Sequence, residues 1–262
     1  MRYLKKSLGQ NFLKDPNIIK KIINFKDIKN KNVVEIGPGD GSLTEQILKK
    51  NPNSLIVIEK DNNLLEILKD KYKKNKSINF YNDDILKINL EKIIKKDSII
   101  FGNLPYNISS QILVKLIKFK KWPPKFDDLI LMFQKEVAEK ILGKSYGRLS
   151  IIANYRLKNL DKFDVSANCF FPKPKVTSTV IHMAPVKKIK YKINDIKNLE
   201  YITNIFFSNK RKMINKQIKK IFKVDEIKKF QDLNLNKRPS DLDKEFYYQA
   251  TEIYENGLSK PL

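Results

Sequence analysis

The chain has 262 residues, with 53 Lys and Arg against 29 Asp and Glu, a formal charge of +24. That length suits one large domain plus a small appendage, and the charge points to a polyanionic partner such as nucleic acid or an anionic membrane. One Cys (Cys169) excludes an internal disulfide, and one His (His182) with one Cys cannot build a His/Cys zinc site. A Ser-His-Asp triad would need His182, which sits in an alternating apolar run rather than a catalytic turn. No apolar run reaches the roughly 18 residues of a membrane span. The N-terminal MRYLKKSLGQNFL lacks the apolar stretch of a secretory signal, so a cytoplasmic location is expected, with no membrane partner and no metal. Only five of the 53 basic residues are Arg, so a general Lys bias contributes to the charge.

Residues 1–26 form a basic arm, with Asp15 its only acid and a helical pattern from Pro16 to Phe25. Apolar runs then alternate with helical patterns. Strands are predicted at Val33–Ile36, Leu55–Ile58, Ile78–Tyr81, Ser98–Phe101 and Leu129–Phe133. Helices are predicted at Leu43–Lys49, Leu64–Tyr72, Ile108–Phe119 and Lys135–Leu142. Continuous β-branched strands alternating with helices indicate a parallel sheet covered on both faces. Leu149–Arg156 reads as helix, and Leu160–Val165 with Val176–Met183 as a final antiparallel pair. Pro185 to Asn194 reads as a linker. Beyond it the patterns are helical only, at about 196–207, 210–223, 225–232 and 241–256. Pro239-Ser240 is expected to open the last helix and Gly257 to close it.

Glu35-Ile36-Gly37-Pro38-Gly39-Asp40-Gly41 follows the first strand of this alternating series and opens a helix. Glycines there let the backbone turn tightly and approach a ligand. Glu59 ends the next strand, 22 residues after Gly37, where an acidic acceptor would grip a ribose diol. The spacing is G-x-G-x-G, and Glu35 and Asp40 would repel a pyrophosphate but not the cationic S-adenosylmethionine. Asp83-Asp84, after the third of these strands, could accept from an adenine amino group, although Asp pairs also commonly cap turns.

Asn103-Leu104-Pro105-Tyr106 is the most specific feature. Pro105 bars Leu104 from the α region, which turns its carbonyl outward beside the Asn103 side-chain oxygen. Two convergent acceptors match the two N–H donors of an exocyclic amine such as adenine N6, and Tyr106 offers a flat face for the base. Such an amine is a poor nucleophile until acceptors draw it toward tetrahedral geometry and aim it at a methyl sulfonium. In Phe170-Phe171-Pro172-Lys173-Pro174, proline rigidity presents Phe170 to stack on the other face of an extruded base. The alternative is a pair of core phenylalanines before a strand.

Taken together, these segments resemble the ribosomal RNA adenine N6,N6-dimethyltransferases, close to the small-subunit (16S-type) bacterial enzymes. The resemblance covers nearly the whole chain. It rests on seven segments in order: Leu8–Leu13, Glu35–Gly41, Asn103–Ser109, Gln134–Ala138, Tyr146–Ser150, Phe170–Ser178 and Phe207–Lys212. It implies a Rossmann-like S-adenosylmethionine-dependent methyltransferase fold over residues 1–186 and a small all-helical RNA-binding domain over 187–262. Cofactor contacts are implied at Asn11, Leu13, Gly37, Glu59, Asp84 and Asn103, with Gly39 in the same turn. Base handling is implied for Asn103, Leu104, Pro105, Tyr106 and Phe170. The implied product is N6,N6-dimethyladenosine at two adjacent adenosines in the 3′-terminal hairpin loop of 16S ribosomal RNA, made on a small-subunit assembly intermediate by a monomer.

A 23S ribosomal RNA adenine N6-methyltransferase of the macrolide-resistance type would share the Asn-Pro-Tyr turn and the Phe-x-Pro-x-Pro segment. Pro38-Gly39 and Gln134–Ala138 favour the small-subunit enzyme. A DNA adenine methyltransferase is a further alternative, against which stands the small helical tail in place of a sequence-reading module. A non-catalytic assembly factor would be expected to have lost the Asn103–Tyr106 turn.

Between Tyr201 and Val224 there is no acid and there are seven bases. Lys212, Lys216, Lys219, Lys220 and Lys223 recur at helical spacing, with Ile214, Ile218, Ile221 and Phe222 on another face. Lys210, Arg211, Lys212, Lys216 and Lys220 are the candidate RNA-phosphate contacts. Lys at 210 and 212, where an Arg-rich motif is expected, keeps the charge but loses bidentate geometry.

Overall fold

The computed structural model describes residues 10–143, 147–230 and 233–258. Leu8 and Gly9 of the first motif, the start of the basic arm, Tyr146, and the end of the helix expected over 225–232 lie outside the described residues.

The first elements among the described residues are β1 (Phe12–Leu13) and α1 (Pro16–Ile23). The Asp15 carboxylate accepts from the Asn17 and Ile18 amides, and Pro16 occupies the first turn, where its missing N–H costs nothing. The alternating region follows as β2 (Asn32–Ile36), α2 (Ser42–Lys49), β3 (Ser54–Glu59), α3 (Asn62–Lys71), β4 (Ile78–Asn82), α4 (Leu90–Ile93), β5 (Ser98–Asn103), α5 (Ser109–Ile117) and β6 (Phe126–Gln134). Then come α6 (Lys135–Ile141), α7 (Arg148–Arg156), β7 (Leu157–Val165), β8 (Phe170–Phe171) and β9 (Ser178–Pro185). The tail holds α8 (Ile196–Phe207), α9 (Asn215–Ile218), α10 (Val224–Ile227) and α11 (Lys244–Leu258).

Seven strands form one sheet in the order β4-β3-β2-β5-β6-β9-β7. The five from β4 to β6 are parallel, and β9 runs antiparallel to both β6 and β7. The parallel strands β2, β3, β5 and β6 are rich in apolar residues and largely buried, as strands covered on both faces must be, whereas the edge strand β4 buries only Ile78. The chain leaves β2 toward β3 on one side and later fills β5 on the other. The carboxyl ends of β2 and β5 therefore flank a topological switch point, where such sheets bind ligands.

The chain divides into two compact units. The first comprises the residues up to Ala138 together with Leu157–Pro185, and the second comprises Glu139–Arg156 with the residues from Val186 onward. The expected first domain runs unbroken over 1–186, whereas the second unit takes in Glu139–Arg156, which includes α7. Within this unit α8 packs against α7 and α11, and the Tyr248 hydroxyl of α11 donates to the Ile151 carbonyl of α7 at 2.9 Å. The ring of Phe206 meets Phe246 and Tyr247 edge-on.

The helix expected over 210–223 is not formed as one piece. The Ile214 amide donates to the Lys237 carbonyl instead of to a residue four back, and only Asn215–Ile218 is α-helical. The separation of faces survives: Ile214, Ile218 and Phe222 are buried, while Lys212, Lys216, Lys219, Lys220 and Lys223 are exposed. Pro239–Asp241 forms a separate 3-10 turn. The last helix starts after Asp243, whose carboxylate accepts from the Glu245 amide, and it runs through Gly257 rather than ending before it.

Candidate functional site

The carboxyl ends of β2, β3, β4 and β5 open into one cleft, wholly within the first unit. Its lining includes Asn11, Phe12 and Leu13, the Glu35–Asp40 turn, Glu59, Asp83, Asp84, and Asn103–Tyr106. All the expected cofactor residues therefore meet in one place, although they are spread over more than 90 positions of sequence from Asn11 to Asn103.

The glycine turn is shaped by close approach. Gly37, Gly39 and Gly41 have φ of +67°, +59° and +81°, in the left-handed region that side chains disfavour. A Cβ on Gly39 would lie 2.7 Å from the Phe12 ring, so that glycine is what lets β1 settle over the turn. A Cβ on Gly37 would sit 3.8 Å from the Asn103 carbonyl oxygen. The two most distinctive motifs are thus neighbours. Gly102 acts differently: the Leu104 side chain folds back over it, where a Cβ would come within 2.6 Å of Leu104 Cδ2. That buries Leu104 and leaves the backbone of the turn to face the cleft.

Five acidic side chains line the cleft: Glu35, Asp40, Glu59, Asp83 and Asp84. Glu35 is 1% exposed. Its Oε2 accepts from the Thr44 hydroxyl at 2.7 Å, and its Oε1 has no hydrogen-bond partner among the described residues. Burial, reinforced by the neighbouring charges of Glu59 and Asp40, pushes its carboxyl up to about 8 despite the Thr44 bond. Glu59 is also raised, mainly by burial, while the amides of Asp61 (2.8 Å) and Gly39 (3.4 Å) hold its two oxygens. Asp84 is held below the usual carboxylate range by the Leu86 amide and by Lys60, whose ammonium is 3.0 Å away. Asp84 caps its own turn and also lines the cleft. Asp40 pairs with Lys14, which ties β1 to the glycine turn.

At the Asn103–Tyr106 turn, Asn103 Nδ2 donates to the Asn11 carbonyl at 3.0 Å. That bond fixes the amide and leaves Oδ1 as its acceptor. The Tyr106 hydroxyl meets Ser178 Oγ at 2.6 Å, and burial raises its pKa, so the phenol stays neutral. Ser178 was missed as a partner in the sequence, where nothing linked it to Tyr106.

Phe170 is buried and is not among the residues that line the cleft. β8 pairs antiparallel with β1, setting Leu13 opposite Phe170 and Phe12 opposite Phe171. Successive residues of a strand face opposite ways, so one ring of the pair must point inward. Phe170 is 4% exposed and joins the apolar cluster that includes Leu13, Ile22, Met132 and Val180, residues that themselves line the cleft, whereas Phe171 is 43% exposed. His182 lies apart from the cleft lining, with Nε2 2.6 Å from Asp128 Oδ1, and Lys26 adds a second contact to that carboxylate.

Lys210, Arg211, Lys212, Lys216 and Lys220 are exposed on the second unit. Among the described residues no group of His, Cys, Asp and Glu could hold a metal ion, and no helix is long and apolar enough to cross a membrane.

Residues 1–256 match the family model described as Ribosomal RNA adenine dimethylase. A Ribosomal RNA small subunit methyltransferase A from Pelagibacter ubique is 44% identical over 257 residues, covering 96% of this chain and 97% of that protein. A dimethyladenosine transferase crystal structure from Plasmodium falciparum superposes with a TM-score of 0.74 at 27% identity, covering 91% of this chain and 95% of that one. The 23S rRNA methyltransferase ErmE shares the fold, with a TM-score of 0.71 at 20% identity over 93% of this chain and 99% of that one.

Proposed function

This chain belongs to the ribosomal RNA adenine dimethylase family, and from that premise we propose that it transfers methyl groups from S-adenosylmethionine to N6 of two adjacent adenosines in the 3′-terminal hairpin loop of 16S ribosomal RNA. The substrate is a small-subunit assembly intermediate in the cytoplasm, and the enzyme acts as a monomer. The 44% identity to a small-subunit methyltransferase, against 20% to a 23S enzyme of the same fold, favours this substrate over the large-subunit alternative.

The cleft residues fit the cofactor. The acidic lining of Asp40, Glu59, Asp83 and Asp84 suits a cationic ligand and would penalise a pyrophosphate, and a cation beside the partnerless Glu35 Oε1 would favour the ionised form that burial opposes. Glu59 would take the ribose hydroxyls, Asp84 the adenine end, and Asn11, Leu13, Gly37 and Gly39 the walls. When bound, S-adenosylmethionine supplies an electrophilic methyl group on a sulfonium.

The chain's own residues orient the nucleophile. Asn103 Oδ1, positioned by the Asn11 bond, and the Leu104 carbonyl accept hydrogen bonds from the N6 N–H groups, two before the first transfer and one before the second. That aligns the nitrogen lone pair toward the methyl donor and stabilises the positive charge that develops there. Tyr106, anchored through Ser178, presents a neutral ring to the base. No general base is needed, because the methylated ammonium is acidic enough to lose its proton to water. Lys210, Arg211, Lys212, Lys216 and Lys220 would meet RNA phosphates.

The observation that carries the reading is the convergence of the glycine turn and the Asn103–Tyr106 turn, with Gly37 against the Asn103 carbonyl. Labelled S-adenosylmethionine with unmodified small- and large-subunit particles tests it. Label is expected in small-subunit RNA, and Asn103→Ala is expected to lose roughly 100-fold or more in kcat. Label only in large-subunit RNA overturns the substrate, and an unimpaired Asn103→Ala enzyme overturns the mechanism.

A further inference from the structure

We propose that Phe171, with Phe12 beside it, is a stacking platform for the nucleotide that flanks the target adenosine, and that Lys173 and Lys175 hold that nucleotide's phosphates. This rests on the RNA-methylating function proposed above.

The β1–β8 register sets Phe12 opposite Phe171. Directly opposed residues of an antiparallel pair share a face. The other pair, Leu13 and Phe170, is buried, so this pair faces outward. Phe12 lines the cleft and lies against Gly39. Phe171 therefore stands at the rim of the same cleft, one strand farther out. Phe171 is 43% exposed. Val176, at the other end of the loop, is 42% exposed.

The surroundings specify the partner. Lys173 and Lys175, two and four residues beyond Phe171, are exposed, while Lys14, paired with Asp40, lies over the Phe12 ring. Lys173 and Lys175 make no ion pair with a described residue, so their charge faces solvent. An exposed aromatic face bordered by unpaired ammonium groups matches a single-stranded nucleotide, whose base stacks while its phosphates meet the cations. Pro172 and Pro174 restrict the loop, lowering the entropy lost when it is ordered by a ligand. A reaction on two adjacent adenosines gives the platform a use: while one base occupies the cleft, its neighbour needs a face to rest on once unstacked.

The test uses the full-length protein with a hairpin RNA of the small-subunit 3′ end carrying 2-aminopurine beside the target adenosine. Phe171→Leu keeps apolar bulk but removes the π face, and Phe171→Trp keeps the face. Losing one base stack of about 1–3 kcal/mol corresponds to roughly 5- to 150-fold weaker RNA binding. Phe171→Leu is expected to show that loss, with a matching rise in RNA KM, loss of 2-aminopurine quenching, and kcat within twofold. Its S-adenosylmethionine affinity by equilibrium dialysis and its thermal midpoint are expected to be unchanged, and Phe171→Trp to restore binding. Equal RNA affinity and quenching in wild type and Phe171→Leu overturns the platform alone, leaving the proposed function intact. A wild-type enzyme that methylates neither this RNA nor small-subunit particles overturns both. An Phe171→Leu defect confined to protein-containing particles, with naked-RNA binding unchanged, also overturns the platform.

Discussion

Replacing Glu35 with Gln is expected to remove most of a fall in stability that the wild-type protein suffers between about pH 5 and pH 8. Glu35 is buried with one oxygen on Thr44 and the other unpartnered, and its carboxyl is raised from 4.5 to about 8. Below pH 4.5 the group is protonated in both folded and unfolded chains. Between 4.5 and about 8 the unfolded chain releases the proton while the folded protein keeps it. The unfolded state then binds fewer protons, so stability declines as pH rises, by about 1.4 kcal/mol per unit. Over the whole interval the decline is on the order of 5 kcal/mol; above about pH 8 both states are ionised and the decline stops. Gln can still accept from Thr44 and has no proton to lose. Urea unfolding of both proteins, without cofactor, from pH 5 to pH 8.5 measures the difference. The curves are expected to diverge steadily, with Glu35→Gln the more stable at alkaline pH. Parallel curves would refute the buried, uncompensated carboxyl. A bound cation would favour the ionised form of Glu35, so the same substitution is expected to weaken S-adenosylmethionine binding more at pH 8.5 than at pH 6.5.

Three other perturbations probe separate parts of the molecule. Gly39→Ala places a methyl group 2.7 Å from the Phe12 ring at a φ of +59°; it is expected to cost at least ~1–2 kcal/mol in thermal stability and to raise the cofactor dissociation constant measured by equilibrium dialysis. Lys216→Ala with Lys220→Ala is expected to flatten the salt dependence of RNA binding, by about 0.7–0.9 in log–log slope for each lysine that meets a phosphate; an unchanged slope means these lysines do not touch RNA. Burial alone would raise Asp128, but the bonds to His182 and Lys26 hold it below the usual range, so its stabilisation is present above the ordinary carboxylate pKa and lost as pH falls through its folded value. Asp128→Asn is expected to lose ~1.5–3 kcal/mol at neutral pH, with methyl transfer unaffected at temperatures where it is folded.

Much of the site was legible because its parts carry local signals. Continuous β-branched runs such as Ser54–Glu59 can be little else than buried strands, and glycines at Gly37 and Gly39 mark backbone that only glycine adopts readily. Pro105 restricts Leu104 whatever the rest of the chain does. What the sequence hid depends on long-range partners. A two-residue strand such as Phe12–Leu13 has no period to detect, and only its pairing with Phe170–Phe171 decides which phenylalanine is buried. Ser178 reaches Tyr106 across 72 positions. The 210–223 segment has a helical pattern of apolar and basic residues, yet Ile214 spends its amide on Lys237 and the helix is cut to one turn. Periodicity there reported which side chains are buried, not how the backbone is bonded.

The most direct measurement is nucleoside mass spectrometry of small-subunit RNA after incubating unmodified particles with the protein and isotopically labelled S-adenosylmethionine. Labelled N6,N6-dimethyladenosine at two adjacent positions of the 3′-terminal hairpin is the expected result. Methylation confined to large-subunit RNA, or on an atom other than adenine N6, would contradict the account.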